Sequence, residues 1–477
     1  MKIKVKSAEF LTVMGIWLAL WAAGSMPLPY DIDSVNFALA LVDRFDPSFL
    51  TDQPQTPGYF FHVLFGKALH TVIKNPFTVQ QVQSLAYLLV FLFLCASVAE
   101  QKGALLLSGS MPLLMYFAPI SAIHAALVCW SAAICLELYA LRDRRLSPVF
   151  LMATLAAASG FRQDLLLYLG PVVLYDLILS QPSLRQWVKG LLAFFLITLL
   201  WLVPTWMAAD HAPFVAVGKA IAWFIKPTAV VSGANTFNAI RYTIMSFMFL
   251  LGAAGPGGVA YFFLKARGLE RSQAIMLMLG ILPNILFLLF IHGPGPGYFG
   301  SSLGFFMIWA LIVNKHELKP ALLIMLASFN IVFFLSAPSP QLERNSNFHD
   351  RSIVQNIGKQ LRYTGGSGWK RIVDRKKELV FLDTTIGRCS CFYDRDVQSA
   401  ENLANSISIP AYRMHSYLAL YQWNNKFITS KDSCCCSTGK AAPGESPDLV
   451  FDGLGVWLPG REHPGWQETC GGDPAEE

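Results

Sequence analysis

Apolar runs, most of them long enough to cross a bilayer and the shortest, such as 147–161, marginal in length, recur along this chain, separated by short polar breaks. Eleven are read from the sequence, at 8–26, 78–98, 103–119, 121–140, 147–161, 164–180, 188–208, 238–264, 272–291, 300–314 and 319–336. A backbone in hydrocarbon must satisfy its own polar groups, so such runs are helices. Composition agrees. Of 477 residues, 54% are hydrophobic and only 14% charged, where a soluble chain carries about a quarter charged. Mean hydropathy is +0.44. Because the apolar residues come in long runs, they read as spans and not as a water-soluble core. The expected fold is a polytopic α-helical membrane protein of about eleven spans.

The start, Met1-Lys2-Ile3-Lys4-Val5-Lys6, followed by an apolar stretch, also fits a signal peptide, with Ala22-Ala23-Gly24-Ser25 as a cleavage site. An uncleaved first span is the preferred reading, since the run exceeds a usual h-region and ten more follow. The net charge of +6 says less than its placement. With the amino terminus in the cytoplasm, inner breaks collect Lys2, Lys4, Lys6, Lys102, Arg142, Arg144, Arg145, Arg185, Lys189, Lys265, Arg267, Arg271, Lys315 and Lys319. Arg162 stands alone as a basic residue in the short outer breaks; the two longer outer loops hold Arg44, Lys67 and Lys74, and Lys219, Lys226 and Arg241. That alternation fixes the orientation and puts everything after the last span outside. A bacterial inner or plasma membrane is the expected location, with any active site on the outer face. No basic stripe is interleaved with aromatics, which excludes nucleic acid as a partner. There is no Walker-type phosphate loop, no His-Glu-x-x-His and no visible internal repeat.

The first outer loop is elaborate. Asn36 to Phe45 and Tyr59 to Val72 read as amphipathic helices lying in the interface plane, as does 213–226 further on. After Ser336 the chain turns polar, through an Ala337-Pro338-Ser339-Pro340 linker. The domain reading is a transmembrane domain over 1–336, a small α/β domain outside the membrane over 337–440, and a disordered tail over 441–477. Within the small domain, 350–363 and 398–406 fit helices and Glu378–Leu382 a strand. Six of nine cysteines lie beyond the last span: Cys389, Cys391, Cys434, Cys435, Cys436 and Cys470. An oxidising compartment permits disulfides there, and Cys-Cys-Cys lacks the usual zinc-ligand spacing.

Candidate chemistry begins with Asp31 and Asp33. In an extended segment the two carboxylates share a face, and either can take a proton from an attacking hydroxyl. The competing role is a cap for the helix starting near Ser34. Arg162 and Asp164 interrupt an apolar stretch, where charges are expensive and tend to be functional or paired. Arg162 can bind a phosphate with its planar fork, pair with Asp164, or snorkel to the interface. The turn His292-Gly293-Pro294-Gly295-Pro296-Gly297-Tyr298 either lines a pocket through His292 and Tyr298 or simply connects helices. His124 reads as a satisfied bundle histidine, and Glu137 as a member of the Arg142–Arg145 cluster.

Three stretches carry a resemblance. Asp33-Ser34-Val35-Asn36-Phe37-Ala38-Leu39-Ala40-Leu41, then Phe45-Asp46-Pro47, then Gln53-Pro54-Gln55-Thr56-Pro57-Gly58-Tyr59 resemble the first outer loop of bacterial GT-C glycosyltransferases. These are the polytopic enzymes grouped with protein O-mannosyltransferases and aminoarabinose transferases. Gly160-Phe161-Arg162-Gln163-Asp164 resembles their Gly-x-Arg-x-Asp/Glu break, and Gly295-Pro296-Gly297-Tyr298 a Pro-Gly-Tyr turn between late spans. The likeness covers residues 8–336 in layout. It implies inverting transfer of a sugar from a polyprenyl-phosphate donor to a lipid, glycan or protein acceptor. Asp33, or else Asp31, would be the base, and Arg162, Asp164, Tyr59, Tyr298 and His292 the donor- and phosphate-binding group. Many relatives have His-Pro-Pro-Gly-Tyr where this chain has Gln55-Thr56-Pro57-Gly58-Tyr59, which leaves a donor-phosphate or metal contact there without its histidine. No cofactor is required, and a divalent metal stays open. The rival expectations are a flippase or transporter of lipid-linked sugars, an O-antigen ligase or polymerase, and a membrane scaffold.

Overall fold

A computed structural model describes residues 7–27, 32–42, 45, 59–120, 123–208, 236–265, 269–290, 296–313, 318–336, 368–370, 372–373 and 376, together with the backbone of four short strands between 427 and 457. Among the described residues before 337 every regular element is a helix. In chain order the helices are α1 (Ser7–Gly24), α2 (Ile32–Val42), α3 (Phe60–His70), α4 (Pro76–Val98), α5 (Ala104–Gly109), α6 (Pro112–Phe117), α7 (His124–Arg142), α8 (Pro148–Phe161), α9 (Asp164–Ser180), α10 (Leu184–Ala208), α11 (Thr236–Lys265), α12 (Arg271–Phe290), α13 (Gly300–Val313) and α14 (Pro320–Ser336), with a 3-10 turn at Pro296–Phe299 before α13.

Among the described residues three helices, α4, α7 and α10, are long and apolar enough to cross a membrane. Their surroundings differ. In the most apolar window of α7, 61% is buried, against 11% for α10. So α7 is the central post, packed by α4, α8, α9 and α13, while α10 leans on α8 and turns Leu184, Phe195, Leu200 and Met207 outward. An apolar exterior of this kind suits a hydrocarbon surround and not water.

Local chemistry sets the helix ends. Pro76 and Pro148 open α4 and α8 at their first positions, where a missing N–H costs nothing. Asn75 Oδ1 accepts from Thr78 N at 2.9 Å, capping α4. One expected span is corrected. Residues 103–119 form two short helices, α5 and α6, because Pro112 disfavours helical geometry at Met111, whose ψ is 127°. Helix α11 kinks at Gly255-Pro256. There Asn330 of α14 holds the opened backbone: its Oδ1 accepts from Gly257 N at 2.8 Å and its Nδ2 donates to Ala254 O at 3.2 Å.

A second correction concerns charge. Arg142 pairs with Asp176 of α9, Nε to Oδ1 at 3.0 Å, and the side chain of Asp176 is fully buried. Glu137, expected beside Arg142, instead accepts from Thr154 Oγ1 of α8 at 2.8 Å. Their neighbours on facing helices decide this, and spacing along α7 alone does not reveal them.

The strands β1 (Phe427–Thr429), β2 (Cys436–Thr438), β3 (Leu449–Asp452) and β4 (Gly455–Trp457) form one antiparallel sheet in the order β2-β1-β3-β4. Strands β3 and β4 fall inside 441–477, which composition assigns to a disordered tail. The apolar triplet Leu449-Val450-Phe451 and the pair Val456-Trp457 supply strand-forming residues within that polar stretch. Since β1 pairs with β3, the sheet also crosses the expected boundary at 440. The elements expected at 350–363, 378–382 and 398–406, the interfacial helix at 213–226, and all the C-terminal cysteines except the Cys436 backbone lie outside the described residues.

Candidate functional site

The site is organised around the two-residue break between α8 and α9. Arg162 ends α8 in an extended conformation, with φ −157° and ψ 111°, and α9 starts two residues on with Asp164. That turn directs Arg162 inward: it is 2% exposed and among the largest fully buried side chains described. Gly160 makes the approach possible. A β-carbon there would meet Phe61 of α3 at 2.4 Å and Trp201 of α10 at 2.6 Å, closer than real contacts allow.

A cation this deep costs several kcal/mol unless compensated. Compensation comes from three parts of the chain. Nε of Arg162 donates to both carboxylate oxygens of Asp164, each at 3.1 Å. The guanidinium carbon stands 5.6 Å from the ring centre of Tyr59 and 5.0 Å from that of Tyr298. Desolvated cation–π contacts of this kind contribute up to about 2 kcal/mol each. Burial alone would depress the guanidinium's pKa, but the Asp164 carboxylate and the nearby Tyr59, Tyr298 and Tyr168 together outweigh it, and the pKa stands above its ordinary value. Arg162 is therefore a fixed positive charge. Nη1, although buried, has no hydrogen-bond partner among the described residues. Asp164 occupies Nε and leaves that end of the fork open.

Both tyrosines are held for this task. Tyr59 sits just before α3 in the left-handed region, φ 44° and ψ 47°, a conformation that costs a side-chain-bearing residue about 1–2 kcal/mol. Its ring packs against Phe37 of α2 at 5.5 Å. Tyr298 lies in the 3-10 turn ahead of α13. Asn284 Nδ2 of α12 donates to its carbonyl at 3.1 Å, and Ser302 Oγ fixes Asn284 at 2.7 Å. Its ring meets His124 edge-on at 4.9 Å. Gly297 allows this, since a β-carbon there would lie 2.5 Å from the His124 ring.

Sequence reasoning nominated Arg162, Asp164, Tyr59 and Tyr298 from three separate stretches, and all four meet. Asp33 lies in the first turn of α2, one turn before Phe37. Helix α2 begins at Ile32, so the backbone of Asp33 is helical and not extended. An acidic residue in a first turn also complements the helix dipole. The Asp33 side chain, Asp31 and His292 lie outside the described residues.

Several contributors carried no sequence signal strong enough to single them out. His62 of α3 is 4% exposed, hydrogen-bonded through Nδ1 to Tyr87 Oη of α4 at 3.0 Å, and packed on Phe37 at 5.1 Å. Burial, with the Arg162 charge behind it, lowers its pKa to about 3, so it is neutral. Gln80 and Gln83 of α4, both buried, donate to the carbonyls of Ser34 at 2.9 Å and His62 at 2.8 Å. They clamp α2 and α3 onto the bundle. The signal for them is a Gln80-Gln81-x-Gln83-Ser84 run within an apolar helix, polar groups that must find partners inside. Among the described residues no three His, Cys, Asp or Glu side chains gather to hold a metal ion.

Comparison with family models, curated proteins and solved structures finds no match for this chain. The functional argument therefore rests on the site. It offers a desolvated, permanently charged guanidinium with one open end, walled by two tyrosine rings and backed by a carboxylate. Chemically, a guanidinium with an open end can accept one phosphate-like anion.

Proposed function

We propose that the chain is an inverting membrane glycosyltransferase of GT-C type, moving a sugar from a polyprenyl-phosphate carrier to a lipid, glycan or protein acceptor on the outer face of the membrane. The observation that carries this reading is the convergence of Arg162, Asp164, Tyr59 and Tyr298 with the Nη1 end of the guanidinium left open. In this scheme the apolar runs make eleven spans, the short helix pair α5 and α6 together counting as one. The amino terminus is cytoplasmic, and the polar region after 337 forms a small α/β domain outside.

The chemistry balances simply. The acceptor hydroxyl oxygen attacks the anomeric carbon from the face opposite the phosphate. The bond from that carbon to the phosphate oxygen breaks, and the lipid phosphate leaves with the electron pair. Asp33 takes the hydroxyl proton. Arg162 neutralises the charge that grows on the departing phosphate, and does so without reorganising, because Asp164 and the two rings already fix it. Asp33 is suited to the base role by its place: α2 reaches Tyr59 through Phe37, so the turn bearing Asp33 is coupled to the wall of the anion site.

Donor affinity in Arg162 variants tests this. A fork that grips phosphate through Nη1 is not replaced by a point charge. Arg162→Lys is expected to bind a polyprenyl-phosphate sugar more weakly than wild type, and Arg162→Ala more weakly still. Unchanged affinity in Arg162→Ala removes the residue from the donor site.

A further inference from the structure

The break that holds Arg162 contains a second unmet demand. Gln163 follows directly, at the start of α9, and both of its amide atoms, Nε2 and Oε1, are buried with no hydrogen-bond partner among the described residues. A buried amide without partners costs free energy on both its donor and its acceptor side, and native structures rarely tolerate such a group without a reason. The hydroxyl of Tyr168, one turn along α9 and fully buried, faces the Asp164 carboxylate. It lies within electrostatic reach of Arg162, Asp164 and Tyr298. Two consecutive residues of one break, Arg162 and Gln163, thus each carry buried hydrogen-bonding atoms without a partner among the described residues.

The chemical kinds of these groups select a ligand. Arg162 Nη1 is a donor and needs an acceptor, which a phosphate oxygen supplies. Gln163 Oε1 is an acceptor and needs a donor, which an ionised phosphate diester lacks. Lipid tails supply neither. A hydroxyl supplies both, matching the two ends of an amide. We infer that Gln163 reads hydroxyl groups of the sugar carried next to the phosphate, so that the Arg162–Gln163 pair recognises a glycosyl phosphodiester and not a lipid phosphate alone. This inference rests on the glycosyltransferase reading, and it adds a specificity-determining residue to it. A site built to bond a hydroxyl discriminates strongly against an analogue without it, because its own polar groups are then left unpaired.

The test compares two diesters of equal charge with purified full-length protein in detergent micelles. One is farnesyl methyl phosphate, which has no sugar. The other is a set of farnesyl-phosphate-linked hexoses and pentoses, from which the tightest binder is taken. Wild type is expected to prefer that glycosyl diester by about tenfold or more, the worth of one or two neutral hydrogen bonds. Gln163→Leu should lose the preference and bind both diesters as wild type binds the methyl ester. Gln163→Asn should keep part of it, and Arg162→Ala should lose both ligands. A second readout separates recognition from structure. Leucine removes a buried amide that lacks partners, so ligand-free Gln163→Leu should melt at the same temperature as wild type or higher. If wild type binds both diesters equally, or if Gln163→Leu keeps the preference, or if Gln163→Leu melts lower and loses both ligands together, the inference is overturned while the anion site stands. If wild type binds neither diester, the glycosyltransferase reading falls and this inference with it.

Discussion

The Arg162–Asp164 pair makes a quantitative prediction because its two members are unequally buried. The Arg162 side chain is 2% exposed and that of Asp164 17%. Asp164→Asn keeps the shape and an acceptor oxygen but strands the cation. Breaking a buried pair by removing one partner costs about 3–5 kcal/mol, and the contacts to Tyr59 and Tyr298 persist and offset part of that. A net loss of about 3 kcal/mol follows. Arg162→Met fills much of the same volume and strands the carboxylate instead. Water reaches that carboxylate, so the expected loss is smaller, about 1–2 kcal/mol. The double variant carries no stranded charge and should be more stable than Asp164→Asn alone. Unfolding the four proteins by SDS in mixed micelles gives the coupling energy directly, and it should exceed about 1 kcal/mol. The reasoning is refuted if the two losses add within about 0.5 kcal/mol, or if Arg162→Met proves the more damaging change.

Burial also makes the fold pH-sensitive at His62. Its folded pKa, about 3, lies below the ordinary 6.5, so in that window the unfolded chain binds the extra proton. The stability it contributes is complete above pH 6.5 and is lost as pH falls toward 3, at no more than about 1.4 kcal/mol per pH unit for one group. His62→Gln should flatten the slope of stability against pH between about pH 6 and about pH 4, and identical slopes would show that the buried imidazole is not its source. Orientation is checked by reporter fusions. A reporter active only outside the cytoplasm should work when fused after Gln341 and stay silent after Arg145 and Arg267, and the opposite pattern reverses the topology.

The sequence made the helical, lipid-facing character of the chain legible, because long apolar runs have one physical solution in a bilayer. It also exposed Arg162 and Asp164, since charges breaking an apolar run advertise themselves. Tyr59 emerged only from motif resemblance, and Tyr298 only as one residue of a turn that could line a pocket or merely connect helices. Nothing local told that these rings would close on one guanidinium, a fact that depends on α3, the break after α8 and the turn before α13 meeting in space. The partners of Arg142 and Glu137 were illegible for the same reason: Asp176 and Thr154 lie on neighbouring helices, and periodicity along α7 does not select among them. The break within 103–119 was readable in principle from Pro112, but an apolar run masks a helix end. The start of α2 at Ile32 was hidden too, because an acidic residue near a cap site looks alike whether the chain is extended or has already begun to turn.

The central claim is that sugar leaves a polyprenyl phosphate on this protein with Asp33 taking the proton. It is tested most directly by incubating purified protein with a panel of radiolabelled polyprenyl-phosphate sugars and membrane extract, and following label into product for wild type and Asp33→Asn. The account predicts that one donor yields a labelled product with inverted anomeric configuration, and that Asp33→Asn, folded as wild type, lowers turnover by about two to four orders of magnitude. Label that binds without transfer from any donor would contradict the enzyme and leave a carrier of lipid-linked sugars, and near-normal turnover in Asp33→Asn would contradict the base.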